Sequence, residues 1–136
     1  MFGPPGRLYV YRIHGHYCAN VVTGPDGEAS AVLLRAGQVI TGLPIARERR
    51  GLEVADHALA RGPGNLTRAL GITTADADTD LRGAYPVRLA PGTDTGAAVM
   101  SGPRVGVRLA ADVRWRFWLS EDPTVSAYRR HRRATR

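Results

Sequence analysis

Apolar and polar positions alternate over residues 8–11 and again over 17–22, in segments rich in Tyr and Val. Period-two alternation of this kind predicts two half-buried strands. His14-Gly15 lies between them and predicts a tight corner, because glycine accepts the positive φ that such a turn needs. Gly24-Pro25-Asp26-Gly27 marks a second turn. The run Ala31-Val32-Leu33-Leu34 is apolar throughout and is expected to form a central strand, giving an antiparallel meander. Residues 43–50 and 52–59 show mixed periodicity with helix-forming residues, which predicts one or two helices. Gly62-Pro63-Gly64 then breaks the chain, and Asn65 is placed to cap a short helix over 66–70. From 73 to 102 the chain is rich in Asp, Thr, Gly and Pro, which predicts long surface loops around a weak strand at 86–89. Residues 105–109 and 115–119 are further strand candidates, and 128–136 reads as a frayed basic tail. No segment repeats.

Length and composition narrow the class. At 136 residues one domain with a real core is expected, and a hydrophobic share of 43% fits a globular protein. No window approaches the roughly 18 consecutive apolar residues of a membrane span, so no membrane partner is expected. The Pro- and Gly-containing start is not expected to be a signal peptide. A lone Cys18 cannot support a disulfide framework, which fits a reducing cytoplasm. The formal charge of +7 favours a polyanionic partner. All nineteen basic residues are arginines, so a compositional bias of the source organism is the alternative explanation.

The richest chemistry lies in the first hairpin. Tyr9, Tyr11, His14 and Tyr17 surround the glycine corner, and the second arm ends on Asn20. A ring at an exposed tip can wedge into the space left by a flipped nucleotide, and tyrosine faces can stack on an extruded base. The alternatives are a surface turn histidine and ordinary core tyrosines. Asn20 offers a short amide to a purine edge, or to its own backbone. Arg35 leaves the end of the apolar run, where a guanidinium can grip a phosphate or simply reach solvent. Arg61 and Asn65 stand at a helix start with glycines, where backbone N–H groups can cradle phosphate. Two motifs fail. Asp76-Ala77-Asp78-Thr79-Asp80 opens like a calcium loop, but Leu81 stands where glycine is needed and Val87 where glutamate is needed. Gly62-Pro63-Gly64 lacks the lysine and hydroxyl residue of a P-loop. No metal and no cofactor are expected.

The hairpin does not stand alone. It is preceded by Met1-Phe2-Gly3-Pro4-Pro5-Gly6 and followed by Ala31-Val32-Leu33-Leu34-Arg35-Ala36, Ala60-Arg61-Gly62-Pro63-Gly64-Asn65-Leu66 and Ser101-Gly102-Pro103-Arg104-Val105-Gly106-Val107. The ending Trp115-Arg116-Phe117-Trp118-Leu119 with Val125-Ser126 completes a pattern that resembles the alkyladenine (3-methyladenine) DNA glycosylase family. The resemblance implies hydrolysis of the N-glycosidic bond of alkylated or deaminated purines in double-stranded DNA by nucleotide flipping. It implies a finger role for His14, a base pocket lined by Tyr11 and a selectivity amide at Asn20; Tyr9, on the same strand face or a neighbouring layer, is expected as a further substrate contact. It also implies that Arg35 lies beside the attacking water and that the Val105 carbonyl helps hold that water; Arg104, beside Val105, is expected to contact phosphate.

Two departures accompany the likeness. The hairpin is one residue shorter at its tip than the family pattern, and His14 stands where tyrosine is commonest. The family's Val-Glu-Thr-Glu-Ala-Tyr-type strand, bearing the general-base glutamate and a stacking tyrosine, has no match here. Glu28, Glu48, Glu53 and Glu121 lie outside that context, so no catalytic carboxylate is expected and the chain as given is expected to be inactive. A start assigned too far downstream, a partial or decayed gene product, and a genuine short relative all explain this. The reading is an α+β fold, a single domain over 1–136 forming the C-terminal part of a glycosylase-like fold. It has a curved antiparallel sheet, flanking short helices, a protruding β-hairpin and a flexible basic tail at 129–136. A monomer, located in the cytoplasm or with a bacterial nucleoid, is expected, marginal in stability or prone to aggregate. A non-catalytic DNA-binding protein on the same scaffold is the alternative, and a small basic RNA-binding protein the third.

Overall fold

A computed structural model describes residues 1–84 and 86–135. Two units divide the chain, 1–92 and 93–136, and each is taken by itself. Both are built of short antiparallel strands, and the first adds two helices, so the α+β expectation holds. Among the described residues no helix is long and apolar enough to cross a membrane.

In the first unit β1 (Leu8–Ile13), β2 (His16–Val22) and β3 (Ala31–Leu33) form one sheet in the order β1-β2-β3. His14 and Gly15 have φ of 48° and 79°, the pair of positive angles a type I′ hairpin turn requires. That turn fixes the register from Ile13 opposite His16 to Leu8 opposite Val21. The central strand is therefore β2, and the apolar run at 31–34 is an edge. Its ladder with β2 covers Ala31 to Leu33, and Val32 is 56% exposed. Leu34 N–H still donates to the Ala19 carbonyl of β2 at 2.9 Å. Its side chain packs against both apolar clusters of the unit, one formed by Leu8, Val10, Ala19, Ile72 and Leu81, the other by Ala46, Leu59, Ala60, Leu66 and Ala69.

Helix α1 (Leu43–Arg50) forms as expected, with Arg47, Arg49 and Arg50 in its last turn, where cations suit the helix dipole. No second helix covers 52–59. Gly51, at φ 120°, ends α1, and only a 3₁₀ turn at Asp56–Ala58 follows. A bidentate Arg47–Asp56 pair and the Arg50 Nε bond to the Leu59 carbonyl tie that loop to α1 instead. Helix α2 (Pro63–Leu70) starts before the expected position, with Gly62 as its N-cap. Proline suits the first helical turn because it lacks only an N–H that would be unbonded anyway. Asn65 is thus inside the first turn and donates from Nδ2 to the Arg61 carbonyl at 2.8 Å, rather than capping. The Asp-rich run serves structure: Thr73 and Asp76 form a capping box, and Leu8 N–H donates to the Thr79 carbonyl while Asp78 N–H donates to that of Leu8. The weak strand expected at 86–89 does not form.

In the second unit β4 (Val99–Gly102) pairs antiparallel with β5 (Arg116–Leu119). Gly102 is required there, since an added Cβ would stand 2.9 Å from the Trp118 ring. The strand expected at 105–109 is a loop. Two of its backbone groups bond to residues near the chain end instead of a strand, Gly106 N–H to the Arg129 carbonyl and the Arg108 carbonyl to Thr135 N–H.

Candidate nucleic-acid interface

Register decides which side chains share a face. Tyr9 stands opposite Asn20 and Tyr11 opposite Cys18, so these four project from one side of the sheet. Leu8, Val10 and Ala19 project from the other, into the core. The Tyr9 and Tyr11 rings lie 5.7 Å apart at an interplanar angle of 31°. Both are half-buried, a condition that leaves ring surface accessible. The Tyr11 phenol is pushed up from its ordinary value, first by burial, then by the facing Cys18 and its hydrogen bond, and last by Tyr9. It therefore stays neutral and able to donate through physiological pH. Cys18 enters the site only through register; strand parity was the available signal in the sequence.

Asn20 is buried, and its Nδ2 donates to the carbonyls of Tyr9 at 3.1 Å and Cys18 at 3.4 Å. The amide group is thus held by the two backbone segments that bear the tyrosine face. At the hairpin's end every residue from Arg12 to His16 is exposed, His14 included. Behind the tip Arg12 lies over the Tyr17 ring at 5.9 Å.

The tip-side start of the second arm is clamped by α2. Thr67, 1% exposed, donates from Oγ1 to the Tyr17 carbonyl at 2.9 Å. A Cβ on Gly64 would stand 3.0 Å from the His16 Cβ, so any larger residue would push the helix start or His16 aside by a few tenths of an ångström. The isolated bridge between Ala36 and Arg61, with Gly37 N–H bonded to the Ala60 carbonyl, brings Arg35 alongside the start of α2. Arg35, Arg61 and Asn65 are therefore gathered in one region, beside the arm that carries His16. Basic charge continues along the helices. The Arg50 guanidinium is held below its ordinary value by partial burial and by neighbouring Arg68.

Arg104 and Val105 belong to the other unit. Arg104 donates from Nη2 to the carbonyls of Leu109 at 3.0 Å and Ala110 at 3.2 Å, and lies over the Trp115 ring at 5.2 Å. That guanidinium shapes its own loop; its Nε is buried without a partner. Val105 is half-buried. None of the twelve acidic residues is buried, and the four glutamates are all exposed. Among the described residues no three His, Cys, Asp or Glu side chains converge as metal ligands would.

The family model for methylpurine-DNA glycosylase (MPG) matches residues 1–123. A protein of Mycobacterium tuberculosis (strain ATCC 25618 / H37Rv) is 61% identical over 98% of this chain and 66% of its own length. Relatives from Mycolicibacterium fortuitum and Mycobacterium leprae (strain Br4923) are 59% and 57% identical over 98% of this chain, and 69% and 63% of their own lengths. All three bear the name "Putative 3-methyladenine DNA glycosylase". The chain thus spans just under two thirds of the Mycobacterium tuberculosis relative. With matched blocks running from the first residue past β5, the chain belongs to the methylpurine-DNA glycosylase family.

Proposed function

We propose that the chain is the DNA-gripping and base-holding part of a DNA glycosylase that removes alkylated or deaminated purines from double-stranded DNA by nucleotide flipping. The observation that carries this reading is the exposed His14-Gly15 tip on a hairpin whose stem presents Tyr9, Tyr11 and Asn20 on one face. The His14 imidazole fills the gap left in the stack, offsetting an extrusion cost of a few kcal/mol. The extruded purine stacks against tyrosine, a contact worth about 1–3 kcal/mol per base. A cationic alkylpurine gains a further cation–π attraction. Asn20 reads the purine edge, and Arg35 with Arg61 grips the backbone near the extruded nucleotide. Val105 positions water, as in the family pattern, and Arg104 beside it supports a phosphate. No cofactor enters, and the working form is a monomer.

Bond cleavage needs more than grip. The sugar develops oxocarbenium character as the N-glycosidic bond breaks, so a carboxylate must stabilise it and direct water to the anomeric carbon. Glu28, Glu48, Glu53 and Glu121 are exposed and lie outside the tyrosine face, which fits binding without cleavage by this chain alone. The same fact supports the second reading, a non-catalytic DNA-binding protein on this scaffold.

Duplexes carrying 3-methyladenine or hypoxanthine, beside undamaged controls, test the proposal through binding titration and abasic-site counting. Tighter binding to the lesion duplex is expected, and equal binding to damaged and undamaged DNA would overturn the reading. Lesion preference without abasic sites from any longer form of the protein would leave the non-catalytic reading standing.

A further inference from the structure

Residues 129–133 read Arg-Arg-His-Arg-Arg and lie beyond residue 123, where the family match ends. Main-chain bonds hold this segment in place at both ends. Gly106 N–H donates to the Arg129 carbonyl at 3.0 Å and Thr135 N–H to the Arg108 carbonyl at 2.9 Å. Arg133 N–H donates to His131 Nδ1 at 3.0 Å, which curls the backbone between the two ends. Arg130 is consumed by an ion pair with Asp112. Arg129, Arg132 and Arg133 are exposed, and none is in an ion pair among the described residues. With Gly106, Arg130 and His131 they line an open hollow of about 490 Å³.

Three like charges held together repel one another, and a fixed backbone prevents them from separating. A polyanion relieves that repulsion, and the planar guanidinium fork fits phosphate oxygens two at a time. The hollow is open, so an extended chain of phosphates suits it better than an enclosed monophosphate. We infer that this arginine-lined hollow is a second, sequence-independent site for the phosphate backbone of duplex DNA. It supplies general affinity while the hairpin supplies lesion preference. The inference rests on the reading that the chain works on duplex DNA, but excision plays no part in its test.

The test uses the full chain and an undamaged duplex, with affinity followed by fluorescence anisotropy as salt rises from roughly 50 to roughly 200 mM. Arg129→Gln, Arg132→Gln and Arg133→Gln together should reduce the slope of log affinity against log salt by about 2.7, three contacts at about 0.9 each. Over that salt range the variant should lose ~40-fold less affinity than the parent. The corresponding triple Arg→Lys variant should keep the parent's slope, because charge and not shape sets it. Circular dichroism of both variants checks that the unit still folds. An unchanged slope in the Gln variant overturns the inference. So does an equal drop in the Lys variant, which would mark a structural effect. A drop confined to the Gln variant, with no lesion preference in the parent, would sustain this site while removing the glycosylase reading.

Discussion

At the residue scale His14 carries two opposed demands. Its φ of 48° puts an L side chain in the left-handed region, which costs about 1 kcal/mol for most residues and less for Asn. His14→Asn should therefore raise hairpin stability by a few tenths to about 1 kcal/mol, measured as the urea midpoint at constant slope. The same change removes the ring proposed to fill the stack. Affinity for a lesion duplex should fall more than affinity for an undamaged one. Equal losses on both would show that the imidazole is only a turn residue. Asn20 differs because it is bound into the sheet. Its amide nitrogen donates to the carbonyls of Tyr9 and Cys18, so the proposed contact with a purine edge is limited to the orientation that this sheet imposes.

At the scale of elements the site depends on how α2 sits on β2. The hydroxyl of Thr67 is the polar link across that contact, 2.9 Å from the Tyr17 carbonyl. Thr67→Val keeps the shape and leaves the carbonyl short of a donor in a buried place, which should cost about 1–3 kcal/mol by urea unfolding. The turn that closes the outer side of β1 gives a pH-dependent counterpart. Hydrogen bonds from Arg82 hold Asp80 down to about 2 from an ordinary 3.8. Because the folded value is the lower one, this stabilisation is complete above pH 3.8 and is lost as pH falls through about 2. Asp80→Asn should flatten the acid side of the stability curve over that window, and added salt should shrink the difference, since the pair lies at the surface. The hairpin was legible in the sequence because alternation, turn chemistry and register are all local there. The start of α2 was misread because Pro63 looked like a breaker, although a first helical turn accepts it. Residues 105–109 had strand-like alternation, but their backbone partners lie at the chain end, and no local pattern announces that. β4 stayed hidden in a Thr- and Gly-rich stretch because only β5, a dozen or more residues later, gives it a partner. The face bearing Tyr9 and Tyr11 could be listed from sequence. That Arg35 and Arg61 lie near each other could not, because a single bridge between Ala36 and Arg61 brings them together.

For the whole molecule, apolar burial is thin. In the second cluster of the first unit three of the five buried residues are alanines, which bring little area out of water. Large apolar side chains remain uncovered in both units, among them Phe2, Ile40 and Leu52 in one and Val99, Leu109, Trp115 and Phe117 in the other, each more than 60% exposed. Large apolar side chains exposed in this number favour self-association and leave the native state marginal. The chain alone should therefore bind an apolar dye such as ANS and unfold over a broad temperature range, and a sharp melt without dye binding would refute this. Duplex DNA should act in the opposite direction. A ligand that binds only the folded state stabilises it by about 2.7 kcal/mol at a hundredfold excess over Kd. With a net charge of +7 that gain must come largely from phosphate contacts. Added duplex should sharpen and raise the melt at low salt, and rising salt should abolish the gain without moving the melt of the free chain by as much. A melt that ignores DNA, or a DNA-dependent gain indifferent to salt, would separate this chain's stability from its proposed partner.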